Sequence, residues 1–191
     1  MTTAAVRSRI VLADLLPGAL ARDAVLVLAG AGLTGLAAQV SITTSLSPVP
    51  FTLQTLAVLV TGAALGSVRG IISMLLYVLA GSAGLPWFAG HTSGFTGPSA
   101  GYLVGFVLAA GVVGELARRG NDRNVVRAAL LMVAGNVVIY AFGVAWLMHE
   151  VPAYSFGQAL HYGVTVFLIS DLAKLVVAAL AFPAAWKLAR R

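Results

Sequence analysis

Along the chain, long apolar runs alternate with short clusters of glycine, proline and charged residues. Runs of this length, lacking the strict alternation of a half-buried strand, mark helices set in lipid. Six spans are predicted, over residues 24–45, 52–67, 70–85, 99–117, 125–148 and 158–186. The second and third are short against the ~20 residues a spanning helix ordinarily needs. Hydropathy alone would fuse them. Arg69 would then sit unpaired near the bilayer centre, at a cost of roughly 2.5–3.5 kcal/mol. A tight turn through Gly66, Ser67, Val68, Arg69 and Gly70 brings it to the surface instead. The expected fold class is therefore an all-α integral membrane protein of six transmembrane helices, a single domain over residues 1–191. Small residues at i, i+4 spacing (Gly62 and Gly66, Ala31 and Gly35, the series Gly97, Gly101 and Gly105) allow close helix packing.

Composition strengthens this reading. Hydrophobic residues make up 60% of the chain and charged residues 9%, against roughly 25% charged in a soluble domain. There are no cysteines, which excludes disulfides, thiolate metal sites and cysteine nucleophiles. The formal net charge is +6, and the bases decide orientation. With six spans, Arg7, Arg9, Arg22, Arg69, Arg118, Arg119, Arg123, Arg127, Lys187, Arg190 and Arg191 all fall on one side. Five spans would scatter them over both. The positive-inside rule thus selects six and places both termini in the cytoplasm. No basic face or aromatic-basic stripe suits nucleic acid. Residues 1–23 read as a cytoplasmic or interfacial segment rather than a cleaved signal, because the apolar stretch comes only after Arg22 and Asp23.

The candidate chemistry centres on Asp171 and Lys174, one helical turn apart and so on one face of the last span. Counting back from Lys187 at ~1.5 Å per residue, Asp171 lies ~24 Å and Lys174 ~20 Å into the membrane, toward the outer half. Charges there are costly and mark function by default, with a structural ion pair as the competing reading. Asp171 offers acceptors to N–H groups and Lys174 offers donors to a carbonyl or carboxylate. The loop over residues 84–101 is uncharged, glycine-rich and aromatic (Trp87, Phe88, Phe95), suited to folding over a ligand. In the turn over residues 47–54, Pro48 and Pro50 stiffen the chain, and Phe51 and Gln54 could close a pocket; a plain helix start is the alternative. Asn136 and Tyr140 share a face of the fifth span, for ligand or for helix packing.

Two patterns are set aside. Gly30, Gly32 and Gly35 match the dinucleotide fingerprint, but no acid follows about 20 residues on; the next after Asp23 is Glu115. His91, His149 and His161 are dispersed over loops with few acids near, a poor metal set. A membrane enzyme would need a nucleophile and base together. Ser170 has Asp171 beside it but no histidine at its depth. One acid and one base make a poor ion path.

Four stretches carry a family resemblance: Val49-Pro-Phe-Thr-Leu-Gln-Thr55, Gly84-Leu-Pro-Trp-Phe-Ala-Gly90, Gly97-Pro-Ser-Ala-Gly-Tyr-Leu-Val-Gly-Phe106 and Ser170-Asp-Leu-Ala-Lys174. In order and spacing, from about Ala13 to the end, the chain resembles the biotin-specific S component (BioY family) of energy-coupling-factor transporters. It departs from the family at Ser99-Ala100, often Thr-Gly there, and in a less glycine-rich stretch from His91 to Phe95. The resemblance implies a six-helix subunit of a prokaryotic plasma membrane that binds biotin from outside. It implies partners too: a transmembrane coupling subunit, which Ala31 and Gly35 on the first span would contact, and two ATPases. A homo-oligomer is compatible with it. The chain has no GxxxxGK[ST] phosphate loop, so ATP hydrolysis would belong to those partners. No cofactor is expected, biotin being the transported ligand. Asp171 could accept from the ureido N–H groups, and Lys174 could meet the ureido oxygen or the carboxylate. Asn136, Tyr140 and Gln54 could add polar contacts, and Phe51, Trp87 and Phe88 could cover the apolar rings. The alternative is an S component for another vitamin or small polar ligand. Metal-uptake relatives carry histidine after the initiating Met1, where this chain has Thr2.

Overall fold

The computed structural model describes residues 10–18 and 20–189. Arg7, Arg9, Arg190 and Arg191 of the charge pattern lie outside the described residues. The elements in order are α1 (Leu20–Gln39), β1 (Ser41–Thr44), β2 (Ser47–Thr52), α2 (Gln54–Leu65), α3 (Ser67–Ser82), α4 (Ala100–Arg118), α5 (Val125–Glu150), α6 (Phe156–Gly163) and α7 (Leu168–Ala189).

Helix α4 is central, packing on α2, α3 and α5. Its glycines permit this. A Cβ on Gly105 would lie 2.8 Å from the Ile139 Cα, and one on Gly114 would lie 2.4 Å from the Ser67 amide nitrogen. Helix α5 starts where Asn124 Oδ1 accepts from the Val126 and Arg127 amides, satisfying two N–H groups that the helix itself cannot. The Ser155 and Gln158 side chains cap α6 reciprocally.

The predicted break between the second and third spans is present. Gly66 joins α2 to α3 with φ +85°, a conformation that costs glycine little. Arg69 then pairs with Asp14 at 2.8 Å and Asp23 at 3.1 Å. The segment leading into α1 packs against the helices. Val11 and Ala13 are buried, Val11 lies beside Gly66, and Arg123 Nη2 donates to the Ile10 carbonyl.

Two expectations need correction. The first span does not run to Ser45. Helix α1 stops at Gln39, and β1 and β2 form an antiparallel hairpin pairing Ser41 with Thr52 and Ile42 with Phe51. The fold is therefore helical with one two-stranded sheet rather than all-α. Residues 41–52 hold Ile42, Thr43, Thr44, Val49 and Thr52, which favour strands, and Pro48 and Pro50, which forbid a helix interior. The Ser47 hydroxyl anchors the hairpin by donating to the Tyr162 carbonyl at 2.8 Å. The last span is also not continuous. Helix α6 ends at Gly163, a 3-10 turn covers Thr165–Phe167, and α7 begins at Leu168. The β-branched run Val164, Thr165, Val166 crowds a helix. The break is held by Tyr102, whose hydroxyl donates to the Gly163 carbonyl at 2.8 Å.

The exterior is apolar: Ile169 is 85% and Leu36 72% exposed, while Asp171 is 6% exposed. Among the described residues, four stretches are long and apolar enough to cross a membrane: Leu20–Gln39, Ala100–Arg118, Val125–Glu150 and Phe156–Ala189. The apolar helices Gln54–Leu65 and Ser67–Ser82 are shorter.

Candidate ligand-binding site

The hairpin, the start of α2, the loop after α3, and helices α4, α5 and α7 converge on a cavity of about 380 Å³. That lies within the ~300–1,000 Å³ of small-molecule sites. Val49, Pro50, Phe88, Leu103, Phe106 and Phe167 give it apolar walls. Thr92, Ser93 and Thr96 bring polar groups from the loop, and Tyr102 lines it from α4.

Asp171 and Lys174 lie on α7 because the break at residues 164–167 restarts the helix just before them. Lys174 Nζ donates to Asp171 Oδ1 at 2.7 Å and to Thr55 Oγ1 at 3.1 Å. The Tyr140 hydroxyl donates to Asp171 Oδ2 at 2.5 Å. The Asp171 carboxylate thus ties α5 to α7, the Lys174 ammonium ties α7 to α2, and all four residues line the cavity. An ammonium has three N–H donors, so Lys174 keeps one for a ligand acceptor. Each carboxylate oxygen has two lone pairs, so Asp171 keeps capacity for ligand donors. The site is built for a ligand with N–H donors and a carbonyl or carboxylate oxygen on an apolar body.

The other expected site residues divide. Gln54 and Phe88 line the cavity; Gln54 Nε2 also donates to the Tyr77 hydroxyl at 2.7 Å. Phe51 stands one layer back, its ring 4.5 Å from that of Phe167. Trp87 is behind Phe88, with its indole N–H on the Tyr77 carbonyl. Asn136 does not line the cavity, and its buried Oδ1 has no hydrogen-bond partner among the described residues. Sequence reasoning missed Thr55, Tyr102 and Phe167. Thr55 directly follows Gln54 and ends the first of the stretches that carry the family resemblance, a signal that could have marked it.

Ala31 and Gly35 are buried within this chain. Ala31 is 1% exposed, and a Cβ on Gly35 would lie 3.0 Å from the Trp87 ring. Both pack inward against this chain. The outward face of α1 carries Leu28, Gly32 and Leu36.

The profile of the BioY family matches residues 4–191. The "Probable biotin transporter BioY" of Pyrococcus horikoshii is 35% identical over 161 residues, covering 83% of this chain and 92% of that protein. The "Biotin transporter BioY" of Thermotoga maritima is 42% identical over 138 residues, covering 71% of this chain and 79% of the relative. The fold is similar to a crystal structure of the S-component for biotin from an ECF-type ABC transporter. The TM-score is 0.78 at 20% identity, covering 87% of this chain and 92% of that one. The chain belongs to the BioY family.

Proposed function

We propose that this chain is the high-affinity biotin-binding subunit of an uptake system in a prokaryotic plasma membrane, energised by partner ATPases. The observation that carries the reading is the chain Tyr140–Asp171–Lys174–Thr55 set in an apolar cavity. Biotin presents ureido N–H groups and a carbonyl, a carboxylate tail and an apolar thiophane ring. Asp171 accepts from the ureido group, and the free Lys174 donor meets an oxygen. Phe88, Phe106 and Phe167 enclose the rings. The family membership and the relatives' names support the same ligand. No chemical conversion is involved.

The chain crosses the bilayer six times, with both termini cytoplasmic. Helix α2 has 12 residues, or ~18 Å at ~1.5 Å per residue. Alone it is too short for a core ~30 Å thick. Its turn into α3 nevertheless brings Arg69 to Asp23 near the start of α1, at 3.1 Å, so α2 and its flanking residues descend along most of the length of α1. Energising partners dock on the outward face of α1 around Gly32 rather than on Ala31 and Gly35.

The test is equilibrium binding of biotin to the purified, detergent-solubilised protein. Saturable binding is expected, weakened on the order of 10- to 100-fold by Asp171→Asn and by Lys174→Ala, since hydrogen bonds to charged groups contribute about 1.5–3 kcal/mol. Unchanged affinity in Asp171→Asn would remove that residue from the site. No binding to stable wild-type protein would reject biotin and favour another small polar ligand.

A further inference from the structure

Gln39 ends α1, outside the cavity, yet its side chain reaches the loop that walls it. Its Nε2 lies 3.0 Å from the Gly35 carbonyl oxygen, 3.0 Å from that of Trp87 and 3.3 Å from that of Phe88. Three acceptors converge on an NH₂ group, a role neither a carboxylate nor an apolar chain could fill. The Trp87 carbonyl also accepts from the Tyr77 hydroxyl at 3.3 Å. Phe88 is held on every side. Its amide donates to the Thr92 carbonyl at 3.0 Å. Its ring sits edge-on to Tyr77 at 5.3 Å and occupies the space that a Cβ on Gly81 would enter, at 2.2 Å. Phe88 is one of the residues that line the cavity.

We propose that Gln39 is a positioning residue for ligand capture: its carboxamide clamps the Trp87 and Phe88 carbonyls and so sets Phe88 in the cavity wall. The proposal rests on the reading that the cavity takes biotin. Loops carry few internal constraints, so a clamp from a rigid helix end fixes what the loop sequence alone would leave mobile. The clamp also ties the cavity wall to α1, the helix with the outward-facing Gly32.

The experiment is a double-mutant cycle read by biotin affinity. Gln39→Met keeps side-chain length and removes the donors. It should raise the biotin Kd about tenfold, mainly through faster dissociation. In a Phe88→Ala background it should change the Kd by less than about twofold, because the group it positions is gone. Equal losses in both backgrounds, or no loss in either, would overturn the proposal. Should Gln39→Met fail to fold, Tyr77→Phe removes the other donor to the Trp87 carbonyl and should lose its effect in the same background. Hydrogen exchange on the ligand-free protein gives a second reading. Gln39→Met should speed exchange in residues 85–95 and leave α4 and α5 unchanged, and a change spread over the whole protein would mean a structural role only. This measurement decides the role of Gln39 even if the wild-type protein binds no biotin, an outcome that sinks the functional reading by itself.

Discussion

Lys174 engages two of its three donors inside the protein, one on Asp171 Oδ1 and one on Thr55 Oγ1. The third can be aimed at a ligand only while those two fix the ammonium, so Thr55 sets the direction of a charge it does not carry. Thr55→Val keeps the shape and removes the acceptor. It should raise the biotin Kd about five- to tenfold, about 1 kcal/mol, by isothermal titration; an unchanged Kd would show that Asp171 alone orients the lysine. Asp171 and Lys174 were legible in the sequence because charges inside an apolar run have few innocent explanations. Thr55 was not, since a threonine in a membrane helix is commonplace and only the fold brings it to the lysine. A second buried acid lies away from the cavity. Asp122, in the loop between α4 and α5, is fully buried and accepts from the Trp186 indole N–H. Burial pushes its carboxyl above the ordinary 3.8, with the Trp186 hydrogen bond opposing. Because the folded state holds this proton more tightly than the unfolded one, the group's stabilisation is full below that value and is lost as pH rises through the folded pKa. Asp122→Asn should therefore melt progressively higher than wild type as pH rises above about 4. A difference independent of pH would mean that the carboxyl is not protonated more readily in the fold.

Helix positions followed from the apolar runs, but the elements between them obeyed other constraints. The hairpin escaped notice because Val40, Ile42 and Leu46, set among uncharged Ser and Thr, carry the membrane-like pattern of α1 onward with no charge to end it. What fixes the hairpin in place is the Ser47 anchor on Tyr162, a contact between distant parts of the chain. The break before α7 is similar. Its β-branched run was visible, but the Tyr102 hydroxyl that stabilises it comes from α4. Glycines were legible as close-packing positions without saying which faces they served. Gly114 meets the backbone of the α2–α3 turn, whereas Gly32 has nothing within 4 Å. Substituting alanine should separate the two. Gly114→Ala forces α4 away from the Ser67 backbone, which cannot swing aside as a side chain can, and should cost about 1–3 kcal/mol. Gly32→Ala should leave the melting temperature in detergent unchanged or slightly raised. A Gly114→Ala protein as stable as wild type would mean that α4 and the turn are not packed this closely.

At the scale of the whole molecule, the open structural choice is between two placements of α2 and α3. They either cross the bilayer separately or dip in from the outer side as a re-entrant pair with their turn at mid-membrane. The ion pairs at that turn favour separate crossings. Arg69 meets Asp14 and Asp23, and those acids flank the start of α1, where the chain enters the membrane. A charged cluster shared by the turn and the entry of α1 belongs at one surface, since burying it in lipid would cost several kcal/mol. The chain has no cysteine, so single cysteines report topology without background. Ser45 is an exposed residue in the hairpin turn, Val68 is 65% exposed beside the α2–α3 turn, and Arg119 follows α4 with a 66% exposed side chain. In intact cells, Ser45→Cys should react with a membrane-impermeant maleimide. Val68→Cys and Arg119→Cys should react only after permeabilisation. A Val68→Cys protein that stays unreactive in permeabilised membranes, while Arg119→Cys labels, would place the turn inside the lipid and replace six crossings with four. Reaction of Val68→Cys in intact cells would reverse the sidedness of that turn and with it the positive-inside argument.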